Sequence, residues 1–333
     1  MYNIGIDAQG GDNGESVVLD AVIKSLEDFN DVKFYIFGLK SSIEEYLSKN
    51  NVKISDKNIE IIDCIDKIEM NDHPVFAMRE KTNSSIVKAA NMLKNNDIEA
   101  FISAGSTGAL IAVAQFIVKP IEGVDRPVLG AVLPTIKRPL ILADSGCNVD
   151  SKPEWLYQYA ILANHYYKLM FNNERPTIGL LSVGTEENKG NNLTLETYKL
   201  IKNDSRLNFI GNVEARDLVY GVCDIVITDG FAGNVFLKTY EGTATMLLDL
   251  IKEQIKSSFI SKIGGLLIKN SIKRMLLKYD ASKYGGAPVL GANALILKCH
   301  GNSKFGELYT TIRQARDLIE NQFISNIKKT FEV

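Results

Sequence analysis

AFISAGSTGALIAVAQFIV, residues 100–118, is a short apolar run with β-branched members, then the turn Ser103-Ala104-Gly105-Ser106-Thr107-Gly108, then a helical period. The same unit recurs at residues 4–26 through Gly10-Gly11-Asp12 and at 140–163 through Asp144 to Asp150. It returns at 178–201 through Gly184 to Asn192, and at 225–250 through Asp229 to Asn234. An extended apolar run followed by a 3.6-residue period marks a strand and then a helix. Strands alternating with helices imply βαβ crossovers and a mostly parallel sheet covered on both faces, so the chain is predicted to be α/β. Ligands of such sheets bind outside the carboxyl ends of the strands, where these polar turns fall. No proline-rich or low-complexity linker interrupts the chain, so residues 1–333 are expected to form one continuous α/β domain.

Composition narrows the function classes. The 333 residues are 45% hydrophobic and 23% charged, with a formal net charge of -2, so no global charge recruits the chain to nucleic acid. Cys64, Cys147, Cys223 and Cys299 are far apart, form no C-x-x-C pair and share no ligand spacing with the three histidines. They are expected to be reduced packing residues of a cytoplasmic protein, with no metal site. Residues 1–7 enter directly into a strand-like run, so a signal peptide is not expected. No stretch of about 18 apolar residues free of charge suggests a membrane-spanning helix.

Each polar turn opens a helix. A helix N-terminus presents unpaired N–H groups and a partial positive charge, which suit an anion. One such turn could equally be an N-cap with close packing; the recurrence points to a phosphate cradle. Neither G-x-G-x-x-G nor G-x-x-x-x-G-K-[ST] occurs, so no dinucleotide or P-loop fingerprint is present. Lys189 lies within the turn Gly184 to Asn191, and Lys238 follows Asp229 to Asn234. Cations there would complement phosphate or a developing oxyanion. A third candidate, Lys81, precedes Ser84, a possible cap for the helix starting near Ile86.

These strings, in this order and over nearly the whole chain, resemble the phosphate acyltransferase family of bacterial phospholipid synthesis. The match rests on Asp7-Ala8-Gln9-Gly10-Gly11-Asp12, the Ser103 to Ala109 turn, Leu142 to Asp150, Gly184 to Asn191, Gly211 to Asp217, Asp229 to Thr239 and Tyr284-Gly285-Gly286-Ala287-Pro288-Val289-Leu290-Gly291. It departs at Gln9, Ser106, Cys147, Val183 and Cys299. The resemblance implies a homodimeric three-layer α/β/α sandwich, similar to the isocitrate and isopropylmalate dehydrogenases and to phosphotransacetylase, without cofactor, metal or nucleotide. It implies transfer of a long-chain acyl group from acyl carrier protein to inorganic phosphate, with the membrane glycerol-3-phosphate acyltransferase as the downstream user of the product. The chemistry needs no dedicated triad, because phosphate is already an anionic nucleophile and a thiol, with a pKa of about 8.5, leaves readily.

On this reading the turn amides of Gly105, Ser106, Thr107, Gly230 and Gly233 bind phosphate and the oxyanion. Lys189 is the main cation, Asn191 and Asn234 are oriented donors, Asp229 orients them, and His300 would protonate the leaving thiolate. Asp12, Lys81, Asp144, Asn148 and Lys238 support the site, with the carboxylates alternatively serving as turn formers and N-caps. All are expected to meet in one electropositive pocket. Residues 251–280 are different in character. Between Ile251 and Tyr279, Phe259, Ile263, Leu266 and Leu267 interleave with Lys269, Lys273, Arg274 and other cations against a single acid, Glu253. This reads as a basic amphipathic hairpin, broken at Gly264-Gly265, that would contact an anionic membrane or the acidic carrier protein, or else pair with protein. Competing readings are a phosphotransacetylase-like enzyme using acyl-CoA, an NAD-dependent decarboxylating dehydrogenase of the same fold, and a non-catalytic phosphate-ligand sensor.

Overall fold

The computed structural model describes residues 1–52 and 58–332. From the N-terminus the elements are β1 (Tyr2–Asp7), α1 (Glu15–Asp28), β2 (Val32–Gly38), α2 (Lys40–Lys49), β3 (Ile59–Asp63), α3 (Pro74–Glu80), α4 (Ser85–Lys94), β4 (Ala100–Ser103) and α5 (Thr107–Val113). They continue with β5 (Val128–Leu129), β6 (Ala131–Leu133), β7 (Leu140–Ala143), α6 (Pro153–Phe171), β8 (Thr177–Leu181), α7 (Asn192–Lys202), β9 (Asn208–Val213), α8 (Ala215–Leu218) and β10 (Ile225–Ile227). The last part holds α9 (Gly230–Lys256), α10 (Phe259–Lys278), β11 (Ala287–Leu290), β12 (Leu295–Lys298), α11 (Phe305–Glu320) and α12 (Phe323–Phe331).

All five strand–turn–helix units form, and the pairing is mostly parallel, but the strands divide into two sheets. One has the order β3-β2-β1-β4-β12-β11-β5 and the other β6-β7-β10-β8-β9. Among the strands, the antiparallel pairs are β11–β12, β11–β5 and β6–β7. The two sheets share one extended segment: β5 pairs with β11 and β6 with β7, with only Gly130 between them. Gly130 N–H donates to the Pro288 carbonyl at 3.1 Å, which places the change of sheet.

A single core cluster runs through both sheets, joining Ile4 and Ile6 of β1 to Ile141 of β7, Ile178 of β8 and Ile225 of β10. The helix α6 spans the junction, touching β7, β10 and β11. Its buried face carries Leu156, Tyr159, Leu162, Ala163 and Tyr166, and each fully buried large side chain stabilises by about 1.5–3 kcal/mol. The Tyr166 hydroxyl is not left unpaired, because Gln314 Nε2 donates to it at 2.6 Å.

The basic segment is a helical hairpin, but its break lies elsewhere than expected. α9 stops at Lys256, and Ser258 opens α10 by accepting the Ser261 N–H on its Oγ at 3.0 Å. Gly264 and Gly265 lie inside α10, where a Cβ on Gly265 would collide with Ile255 of α9. Gly265 therefore permits close helix packing, whereas a Cβ on Gly264 would meet nothing within 4 Å. No residue of α10 is buried, and no helix among the described residues is long and apolar enough to cross a membrane.

The start of α9 fits tightly against the turn after β7. A Cβ at Gly233 would overlap the Asp144 carbonyl oxygen, whereas one at Gly242, farther along the helix, would meet nothing within 4 Å. Gly233→Ala should cost about 3 kcal/mol through overpacking against backbone, while Gly242→Ala should add up to about 1 kcal/mol from helix propensity. Chemical denaturation of both variants checks the contrast, and equal midpoints would refute the packing account.

Candidate active site

A cleft of about 750 Å3 opens where the carboxyl ends of the two sheets face each other. Four of the five turns reach it: Asp12 follows β1, Thr107 follows β4, Ser145 and Gly146 follow β7, and Asn234 and Lys238 stand on the first turns of α9. The end of β12 contributes Lys298, and the turn after it His300 and Asn302. Leu129, Ala131, Val132, Leu133 and Leu237 form an apolar wall along the shared strand and α9. The cleft thus combines polar and apolar lining, which suits an anionic head joined to a hydrocarbon tail.

Two buried carboxylates hold the turns in shape. Asp7 accepts from Ser103 Oγ at 2.6 Å and from the amides of Gln9 and Gly10 at 3.0 and 3.1 Å. Burial pushes its pKa up, and these hydrogen bonds pull against that shift. Asp144 accepts from the amides of Gly146, Cys147 and Asn148 at 2.8, 2.9 and 2.8 Å, and from Asn148 Nδ2 at 3.0 Å. It too is pushed up by burial and held back by its donors. Asn148 Nδ2 also reaches the Pro127 carbonyl at 3.0 Å, bracing the turn against the entrance to β5.

These partners change what several predicted residues are free to do. The Gly105 amide donates to Ser103 Oγ at 2.9 Å, and Ser106 Oγ caps α5 by accepting from Ala109 N–H at 3.4 Å. The Gly230 amide donates to the Asn148 carbonyl at 2.9 Å and that of Gly233 to the Asp229 carbonyl at 3.0 Å. Asp229 is the N-cap of α9, accepting the Ala232 N–H at 2.8 Å. Gly105, Gly230 and Gly233 thus spend on the protein the amides expected to meet phosphate; they shape the cleft through backbone fit. Lys81 pairs with Asp72 at 2.5 Å and with the Lys67 carbonyl at 2.9 Å, away from the cleft. Lys189 and Asn191 do not line it either. Asn191 caps α7 by accepting the Thr194 N–H at 2.9 Å, and Lys189 stands exposed on the turn after β8. That strand lies directly beside β10, so the turn shares an edge with the start of α9.

Nor is the cleft electropositive by count. Asp12, Glu241, Asp280 and Glu307 line it against Lys238 and Lys298. Lys238 is neutralised by Glu241 at 2.9 Å. Asp280 caps a short turn through Ser282 N–H at 3.0 Å, and Glu307 Oε1 accepts the His300 N–H at 3.3 Å. His300 is exposed at the rim. Among the described residues no three His, Cys, Asp or Glu side chains gather as they would around a metal ion.

Lys298 was not anticipated. It ends β12 directly opposite Ser103 of β4 and sits partly buried in the cleft. Its ammonium donates to the carbonyls of Ala104 and Cys299 at 3.0 and 2.5 Å. Burial lowers its pKa below the ordinary lysine value, while Asp7, Glu307 and Asp12 pull it back upward. The available signal was a lysine closing the apolar run Leu295-Ile296-Leu297 just before Cys299-His300-Gly301. A strand of that type is buried on both faces, so its terminal lysine points at the strand-end site.

The sequence and the fold both match known proteins. A sequence profile for the family described as "Fatty acid synthesis protein" matches residues 2–326. The phosphate acyltransferase of Clostridium botulinum is 46% identical over 330 residues, 99% of this chain and 98% of that protein. That of Ligilactobacillus salivarius is 45% identical over 335 residues, 99% of each. The chain belongs to the phosphate acyltransferase family. Among solved structures, EutD phosphotransacetylase from Staphylococcus aureus superposes with a TM-score of 0.60 at 17% identity, covering 95% of this chain and 94% of that one, a likeness of fold. Family membership makes the chain an enzyme of fatty-acid and phospholipid synthesis.

The Asp144 cluster is the most heavily bonded part of the cleft, and its removal leaves several amides unpaired. Asp144→Ala should destabilise the fold by about 3 kcal/mol and lower activity with it, because Gly146 lines the cleft. A thermal midpoint within about 1 °C of the parent would be inconsistent with that, since about 1 kcal/mol already shifts a chain of this size by 2 °C or so.

Proposed function

We propose that the chain transfers a long-chain acyl group from acyl carrier protein to inorganic phosphate, in the cleft between the two sheets. The observation that carries this reading is the cleft's mixed lining, in which Thr107, Asn234 and Lys298 share one cavity with Leu129, Val132, Leu133 and Leu237. Hydrogen phosphate attacks the thioester carbonyl, the C–O bond forms as the C–S bond breaks, and the phosphate proton ends on the departing thiol. The products are acyl phosphate and free carrier protein. The site therefore has to hold two reactants in line and to stabilise the oxyanion with preorganised donors. Asn234, one turn into α9, is the proposed oxyanion donor. Lys189, on the neighbouring turn after β8, is the proposed cation that closes over the reactants from that edge. His300 at the rim is the proposed relay that takes up the phosphate proton and passes it to the thiolate.

Asn234→Ala and Lys189→Ala should each reduce acyl-phosphate formation roughly a hundredfold, read by hydroxylamine trapping with acyl carrier protein thioester as donor. Retention within a fewfold would remove the residue from the mechanism. Acyl-CoA serving as well as the carrier-protein thioester would favour the phosphotransacetylase-like alternative.

The hairpin extends the reading to the membrane. Phe259 is 79% and Leu267 80% exposed, and Ile260, Ile263 and Leu266 complete an apolar tip. Seven cations stand against one acid across residues 251–279. Such a tip lies in the interface of an anionic bilayer, where apolar area and basic charge act together. Met246, Leu247, Leu250 and Ile251 on α9 are also exposed. They are the proposed contact with a second copy in a homodimer. Acyl phosphate is amphipathic, and a cytoplasmic enzyme resting on the membrane's inner face would deliver it to a membrane-bound glycerol-3-phosphate acyltransferase. The parent chain should co-sediment with vesicles containing phosphatidylglycerol at low salt, and Leu266→Asp combined with Leu267→Asp should abolish this. No sedimentation of the parent would remove the membrane contact.

A further inference from the structure

We infer that Lys298 is a catalytic residue for this reaction: its ammonium holds the phosphate nucleophile on the Ser103–Thr107 side of the cleft. The inference rests on the reading above and adds to it the residue that positions the attacking anion. Lys298 occupies the end of β12 and is in register with Ser103, so its side chain enters the cleft beside the turn that leads to Thr107. An ammonium has three N–H donors. Two of them are directed at the Ala104 and Cys299 carbonyls, which fix the group in place without balancing its charge. No carboxylate pairs with it among the described residues.

That arrangement is costly in the empty cleft. A partly desolvated cation lacking a counter-ion loses hydration that two neutral carbonyls only partly restore. The depressed lysine pKa is the same cost expressed as proton affinity. An anion bound at the third donor removes the penalty, so the empty site is prepared for one. The other lysine of the cleft, Lys238, already has Glu241, and Lys81 already has Asp72. The carboxylates of Asp7, Glu307 and Asp12 act on the ammonium through space without bonding to it, so its third donor remains open to phosphate. Held there, hydrogen phosphate keeps an unshared oxygen for the thioester carbonyl. Lys298 offsets its charge without taking part in covalent chemistry.

The test uses the full chain with acyl carrier protein thioester and inorganic phosphate as substrates. Lys298→Gln keeps an N–H donor for the Ala104 or Cys299 carbonyl and removes the charge. It should raise the KM for phosphate roughly tenfold or more while changing the KM for the acyl donor by less than about twofold. Lys298→Arg should recover part of the loss. In thermal unfolding, saturating phosphate should raise the midpoint of the parent and not that of Lys298→Gln or Lys298→Met. Without phosphate, Lys298→Met should be at least as stable as the parent, since it removes an unbalanced charge. A phosphate KM within about twofold in Lys298→Gln, or an undiminished phosphate-induced rise in midpoint, would overturn the assignment. So would a drop in stability of both neutral variants with the phosphate KM unchanged, the outcome for a lysine that merely props the Ala104 carbonyl. If the parent forms no acyl phosphate but its midpoint still responds to phosphate through Lys298, the acyl-transfer reading fails and the anion contact stands.

Discussion

Gly130 is the residue on which the rest of the molecule turns. The chain passes through it from a pairing with β11 to a pairing with β7, with no other residue between the two strands. Two sheets that share a strand cannot rotate freely, because any rotation would break the ladder on one side or the other. Their carboxyl ends are thereby held facing one gap, and α6 locks the arrangement by burying one face against strands of both sheets. The cleft follows from this constraint. Its lining joins apolar residues of the shared strand and of α9 to turns belonging to separate sheets.

How the turns are held explains why the site consists of side chains more than of amides. Two of the turns each wrap a buried carboxylate, Asp7 in one sheet and Asp144 in the other. A carboxylate inside a ring of N–H groups does for the turn what a bound anion would do, so those donors are no longer available to a ligand. The protein thereby gains rigid loops whose shape does not depend on occupancy. Charge for an incoming phosphate must then come from lysine.

The strand–turn–helix recurrence was legible because periodicity is local: residues 100–118 declare a strand and a helix whatever their surroundings. Convergence was partly legible, since ligands of such sheets bind at strand ends and four of the five turns meet there. Division into two sheets was not, because β5 and β6 are only two and three residues long and carry no periodic signal. The fate of individual amides was hidden for a similar reason. The partners of Gly105 and Gly230 are Ser103 Oγ and the Asn148 carbonyl, and neither a glycine nor a turn motif states which acceptor will claim its N–H. The hairpin break was misplaced because glycine has two meanings in a helix. It weakens the helix by about 1 kcal/mol yet allows a second helix to approach, and at Gly265 the contact with Ile255 decides for the second.

Lys298 belongs to the class of residue that a search for polar motifs passes over, since it lies at the end of an apolar strand and outside every glycine-rich turn. The physical criterion that identifies it is charge balance. Surface lysines of this chain are paired or solvated, as Lys24 is with Glu27 and Asp28, and contribute little to stability in either state. A lysine that is partly desolvated and bonded only to carbonyls keeps an unfavourable charge for as long as the cleft is empty. Selection for stability alone would favour an apolar side chain at such a position. The cation is retained at a cost, and in a cleft whose other lysine is already neutralised, binding an anion is the function that accounts for that cost.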